Sequence, residues 1–161
     1  MAAGVAVALA ACGSSAGGSG GGGGTSIDPC VVGTWVATQV MTRFNATGAV
    51  VQLSGGAGLT LTFTGDGAET ADWSSMQPLT TTIPVDVTQT YRGQSHYRVS
   101  TAGGTLTFLS ADYNGWSGEQ SFAGQNSSLT GANPVPPEAY TCSQSTLTEQ
   151  NSTWAATFTR H

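Results

Sequence analysis

The chain has 161 residues, of which 39% are hydrophobic and 8% charged, with 23 Gly and a formal net charge of -5. That length fits one domain of ordinary size, and a chain without lysine, whose arginines (Arg43, Arg92, Arg98, Arg160) are scattered, cannot form the basic stripe that nucleic-acid backbones require. An average soluble domain is about 25% charged, so hydroxyls must supply the solubility here. Ser and Thr make up about a quarter of the chain, and Thr suits half-buried strands, which points to an all-β, extracytoplasmic protein.

Residues 1–11 are small, uncharged and apolar, and end in Leu9-Ala10-Ala11 before Cys12. A stretch of about ten such residues is half of what a membrane span needs, and so is expected to be a cleaved signal. No Lys or Arg precedes Arg43, so the basic segment that opens such signals is missing and the true start is expected upstream. The Leu-Ala-Ala-Cys run resembles the lipobox of bacterial lipoproteins, with an actinobacterial source the expected one. The resemblance implies that Cys12 carries a diacylglyceryl thioether and an N-acyl chain of the palmitate type. Two or more such chains hold a protein stably on a membrane, here on the extracytoplasmic face of the cell envelope. The other reading of Cys12 is a free or disulfide-bonded thiol. Residues 12–26 are almost entirely Gly and Ser after the Cys, a flexible spacer with a span of about 20 Å. With no strand before it and no Lys after it, this is not a phosphate-binding loop.

Composition changes at Ile27, and residues 27–161 read as one folded domain. Strands are expected at 35–42 and about 50–54. Residues 59–64 (Leu-Thr-Leu-Thr-Phe-Thr) alternate without error and end at Asp66-Gly67, a hairpin signal, so the return strand is placed at 68–73. Val85 and Val87 lead toward Tyr91, and Tyr97 and Val99 run to a turn at Gly103-Gly104. Residues 105–108 follow and close near Asn114-Gly115, another favoured turn pair. Asn133 to Pro137 reads as a Pro-rich loop, 140–143 and 146–150 as a short hairpin, and 153–160 as the last strand. No window of helical period stands out. The spacing predicts about eight or nine strands in an up-and-down barrel or a sandwich.

The first strand opens with Gly33-Thr34-Trp35 and the last ends at Arg160. This pairing resembles the lipocalins and their wider calycin group, although a Thr-Asp-Tyr-type turn and a helix before the last segment are missing from the sequence. The resemblance implies a closed barrel of about eight strands, with Trp35 plugging one end, Gly33 permitting close backbone approach, and Arg160 packed over the indole by cation-π attraction. The alternative is an ordinary core Trp and an ordinary surface Arg. With Cys12 assigned to lipid, Cys30 and Cys142 have one possible pairing in an exported protein, and a redox role lacks the CxxC spacing.

Catalysis is not expected. There is no Gly-x-Ser-x-Gly elbow, and His96 is the only internal histidine. It lies in a strand-like stretch facing opposite to Tyr97, while His161 is terminal. Metal binding is not expected either, since no His pair or Cys-His cluster exists and Asp112, Asn114 and Glu119 do not keep the spacing of a calcium loop. Glu69 and Asp72 fall on opposite faces of an extended strand and read as solvated edge charges. The sequons at Asn45, Asn126 and Asn151 carry no meaning beside a bacterial signal. No cofactor is implied.

Bulky apolar residues make up only about a quarter of residues 27–161, thin for a filled core. Either Thr and Ala pack the interior or the barrel encloses a cavity, and eight strands can hold one small ligand. Trp73, Tyr113, Trp116 and Trp154 are the candidate walls, against the plainer reading that they are core or rim residues. The expected function is binding or transport of a small hydrophobic ligand by a membrane-tethered barrel. The competing class is a structural or interaction module that meets another envelope protein, and a hydrolase or isomerase using His96 comes third. A cavity of about 300 Å³ or more lined by aromatics separates the first from the second.

Overall fold

The computed structural model describes residues 26–46, 48–132 and 134–161. Cys12 and nearly all of the Gly/Ser segment lie outside the described residues. Within them the chain is all-β, with thirteen strands in one antiparallel sheet. Eight form a closed barrel: β1 (Gly33–Ala46), β3 (Thr60–Phe63), β4 (Ala68–Asp72), β7 (Gln94–Ala102), β8 (Thr105–Asp112), β11 (Glu138–Cys142), β12 (Thr146–Gln150) and β13 (Trp154–Arg160). Each of the eight pairs with the next in chain order, and β1 closes the ring by pairing with both β3 and β13.

The other five strands are β2 (Ala49–Gly55), β5 (Leu79–Thr81), β6 (Val87–Arg92), β9 (Ser117–Phe122) and β10 (Gln125–Leu129), joined in the order β1-β2-β5-β6-β9-β10. They are inserted in the β1–β3, β4–β7 and β8–β11 connections. Because successive barrel strands alternate in direction, these connections all lie at the same end. At the opposite end the strands are joined by the tight turns 64–67, 103–104 and 143–145. The result is a barrel with a short, closed base and a mouth rimmed by a second lobe. β1 links the two: Gly33–Val36 pairs with β3 in the barrel, and after a bulge between Ala37 and Gln39 the stretch Val40–Ala46 pairs with β2. A bulge bends a strand and increases its twist, so one long strand can serve both bodies.

The sequence therefore identifies the barrel and, of the lobe, only β2 and β6. β5, β9 and β10 were not expected, and β8 runs on to Asp112. Asn114-Gly115 does form a turn, but it joins β8 to β9, which pair with other strands. The chain leaves the barrel here instead of folding back on it.

Buried side chains fill the base: Trp35, Phe63, Val99, Leu106, Leu147 and Phe158. The Trp35 indole donates to Val31 O at 2.7 Å, and the Arg160 guanidinium lies 4.1 Å from its ring centroid. Arg160 also donates to three carbonyls, of Gln144 (2.9 Å), Val32 (2.9 Å) and Cys30 (2.6 Å). Gly33 has φ +136°, and a Cβ there would run into the Arg160 guanidinium. Gly33→Ala is expected to cost about 1–3 kcal/mol through backbone strain and the displaced arginine, read as a lower urea midpoint with an unchanged m-value. The same end carries the Cys30–Cys142 disulfide, with Cα atoms 6.0 Å apart across 112 residues of sequence.

Candidate functional site

Above the base the interior changes character. Inward positions on the upper strands hold small or acidic residues: Ala71 and Glu69 on β4, Ala156 on β13, Glu138 on β11 and Glu149 on β12. The space they leave is a cavity of about 310 Å³ that opens toward the mouth, within the range of small-molecule sites. Trp73, Tyr113, Trp116 and Trp154 all line it. So do Tyr91, Tyr97 and Phe108, which the sequence placed on strands without assigning them to a site.

The aromatic residues form one continuous arc. Successive ring centroids are 6.4 Å apart for Trp154–Trp73, 5.2 Å for Trp73–Tyr91 and 6.0 Å for Tyr91–Trp116. The arc continues at 5.6 Å for Trp116–Tyr113, 5.9 Å for Tyr113–Tyr97 and 5.3 Å for Tyr97–Phe108. The tilted and edge-on packing is the favoured geometry for such pairs. Tyr91 comes from the lobe, Trp116 immediately precedes β9, and the rest belong to the barrel or its connections, so the arc ties lobe to barrel around the mouth. Most polar tips are held. The Trp73 indole donates to Ser95 Oγ (2.9 Å), whose hydroxyl donates to Tyr97 Oη (3.0 Å). Tyr91 Oη donates to Gln89 Oε1 (2.8 Å) and Tyr113 Oη to Ala132 O (2.7 Å). Burial raises the phenols of Tyr91, to about 12, and of Tyr97 and Tyr113, so all stay neutral. The Trp116 indole N–H is buried without a partner.

Gly131, Ala132 and Val135, which lie between β10 and β11, also line the cavity. Gly131 lies against the Tyr113 ring so closely that a Cβ would overlap it. Gly131→Val is expected to push Tyr113 out of the arc and to change the near-ultraviolet circular dichroism of the packed aromatics, at a stability cost of about 1–3 kcal/mol.

The carboxylates were the part not expected. Glu69 is 4% exposed, Glu149 3% and Glu138 7%, so Glu69 is no solvated edge charge. The expectation for Asp72 as an outward residue agrees with its bonds to Ser74 N and Gln94 Nε2. Glu69 pairs across β3 with Phe63 and across β7 with Tyr97, both inward-facing. Glu149 lies opposite Tyr140, whose strand neighbour two residues back is Glu138, and this alternation puts both glutamates on the inner face. Asn151 donates to Glu138 Oε1 at 3.3 Å. Glu69 Oε2 and Glu149 Oε1 are buried with no hydrogen-bond partner. Burial first, then the Glu138 charge, holds the carboxyl of Glu69 well above the usual range, and burial with Glu138 and Glu69 does the same for Glu149. Glu138 is pushed up to about 7 by burial, against the Asn151 bond that lowers it. The signal for all three was available in the strand phase. Glu69 shares a face with Ala71, and Glu149 shares one with Leu147.

His96 points outward, its Nδ1 3.1 Å from Thr70 Oγ1, and His161 is exposed. Asp112 Oδ1 accepts from Asn114 N (2.9 Å) in a local turn, and Glu119 is exposed on β9. Among the described residues no group of three or more His, Cys, Asp or Glu is disposed to hold a metal ion, and no helix is long and apolar enough to cross a membrane.

Fold and site together define a closed eight-stranded β-barrel with an aromatic, acid-floored cavity at its mouth. Compared with protein-family models, curated proteins and solved structures, the chain matches none of them.

Proposed function

We propose that this protein is a lipocalin-like binding protein of the cell envelope, tethered to the membrane through a lipid on Cys12, whose barrel takes up and releases a small ligand with a largely apolar body. The observation that carries the reading is the aromatic cavity of about 310 Å³. A barrel serving only as a scaffold gains nothing from keeping such a space empty, because each unfilled volume forfeits packing energy. Binding needs no covalent chemistry: flat, rigid rings supply contact area and little entropy is lost on ordering them. The protein is not an enzyme in this reading and requires no cofactor.

The test is native mass spectrometry of the protein purified without detergent, followed by organic extraction. A discrete extra mass released by solvent, or taken up from an extract of envelope small molecules, is the expected result. A clean apo mass that no extract changes would point instead to the interaction module, for which the edge strand β10 (Gln125–Leu129), almost wholly exposed along its length, is the surface to probe with protein partners.

A further inference from the structure

Resting on the reading of the barrel as a ligand-binding site, we infer that its ligand is an organic cation, an amine or quaternary ammonium compound with an apolar body, whose positive charge sits against Glu69 and Glu149 while the body packs against Trp73, Tyr91, Trp116 and Trp154. Two independent observations meet in this cavity. The first is the pair of buried carboxylate oxygens, Glu69 Oε2 and Glu149 Oε1, that have no partner within the protein. A buried carboxylate is ordinarily paired or fully hydrogen-bonded, and a native structure retains unsatisfied ones where something else completes them. The second is the aromatic arc, since ring faces attract cations and recurrently enclose ammonium groups. A purely apolar ligand would use the rings and leave the carboxylates orphaned. A bare metal ion would use the carboxylates but not the rings, and the acidic groups are not disposed around one metal position. An ammonium group on an apolar body uses both.

Charge balance agrees. The titratable groups lining the cavity are Glu69, Glu138, Glu149, Tyr91, Tyr97 and Tyr113. None of the lining residues is Arg, Lys or His, so no resident cation competes. In the empty cavity Glu69 and Glu149 hold their protons, while Glu138 gives up its own above about pH 7. Entry of a monocation lets one of them ionise, its proton passing to solvent, and the charge inside is neutralised. Affinity should then rise with pH, by up to tenfold per unit over the range in which the empty site is protonated.

The experiment is a titration of intrinsic tryptophan fluorescence with three probes of matched shape: phenethylammonium, neutral 2-phenylethanol and anionic 3-phenylpropionate. A fourth probe, benzyltrimethylammonium, cannot donate hydrogen bonds, so its binding reads the rings and the carboxylate charge without a hydrogen bond to the glutamates. The cations are expected to bind at least about tenfold tighter than the alcohol, more tightly at pH 8 than at pH 6, with the anion weakest. Glu69→Gln and Glu149→Gln keep shape and should retain binding of the alcohol while losing most of the preference for phenethylammonium. Equal affinity for alcohol and cation, or tighter binding of the anion, would overturn the cation assignment and leave the barrel as a binder. Failure of all four probes, with native mass spectrometry also clean, would overturn the ligand-binding reading and the assignment with it.

Discussion

Raising the pH from 5 to 8 is expected to lower the melting temperature of the ligand-free protein by about 10 °C. The cause is the set of buried carboxyls. The Glu138 carboxyl is pushed from its ordinary 4.5 to about 7 by burial, and burial with neighbouring negative charge raises Glu69 and Glu149 as well. Each group holds its proton more tightly folded than unfolded, so the stability it contributes is fully present below about pH 4.5 and is lost as pH rises through the folded value. For Glu138 alone that is about 3 kcal/mol, which for a domain of this size corresponds to about 10 °C. The outward carboxylate Asp66 works in the opposite sense. Hydrogen bonds from Thr64 and Arg98 lower it to about 2, so its contribution is lost only as pH falls through that value, outside the window. Melting curves by circular dichroism at half-unit steps check this. Glu138→Gln should flatten the dependence, and a melting temperature that climbs between pH 5 and 8 would show that these carboxyls are not held in an apolar interior.

The second large effect is at the closed base. Cys30→Ala with Cys142→Ala removes a cross-link spanning 112 residues, which in the chain-entropy model is worth about 4–5 kcal/mol. That bond also fixes the segment whose carbonyls at Cys30 and Val32 hold the Arg160 guanidinium over Trp35. Losing it should loosen the plug as well as enlarge the unfolded ensemble. The urea midpoint of the double variant should fall well below that of the oxidised protein and coincide with that of the wild type under reductant. A loss under about 1 kcal/mol would mean the base is held without the disulfide.

What could be read from the sequence follows the physics of each strand. β3 and β4 bury one face and leave the other half-buried, so alternation and the Asp66-Gly67 turn revealed them. β10 is Gln-Asn-Ser-Ser-Leu with nearly every position exposed, and a strand that buries neither face leaves no hydropathy period. It exists because β9 offers it an edge. Of the lobe, β2 and β6 were legible as strands, but not their assembly into one body, because its order in the sheet is set by pairings between distant insertions. The aromatic walls could be proposed from rigidity and amphipathic character, but not their arc, which joins residues from Trp73 to Trp154 through tertiary packing alone. Glu69 was misread because charge was weighed above phase: opposite Phe63 and beside Ala71 it had to face inward once the barrel closed. Glu138 follows Pro136 and Pro137 and so looked like part of a loop, although it shares a face with Tyr140.

The chain's four tryptophans give the most direct test of the claim that the open half of the barrel is a ligand site. Each contributes one indole N–H signal to a nitrogen-15 correlation spectrum. Trp73, Trp116 and Trp154 line the cavity, while Trp35 is buried at the opposite end with its N–H on Val31 O. On titration with phenethylammonium the first three signals are expected to move in saturable fashion, Trp116 most because its N–H has no partner in the empty site, and the Trp35 signal to stay in place. Movement of all four signals together would contradict a ligand site at the mouth of the barrel, as would movement of none with phenethylammonium, 2-phenylethanol, 3-phenylpropionate or benzyltrimethylammonium when native mass spectrometry is also clean.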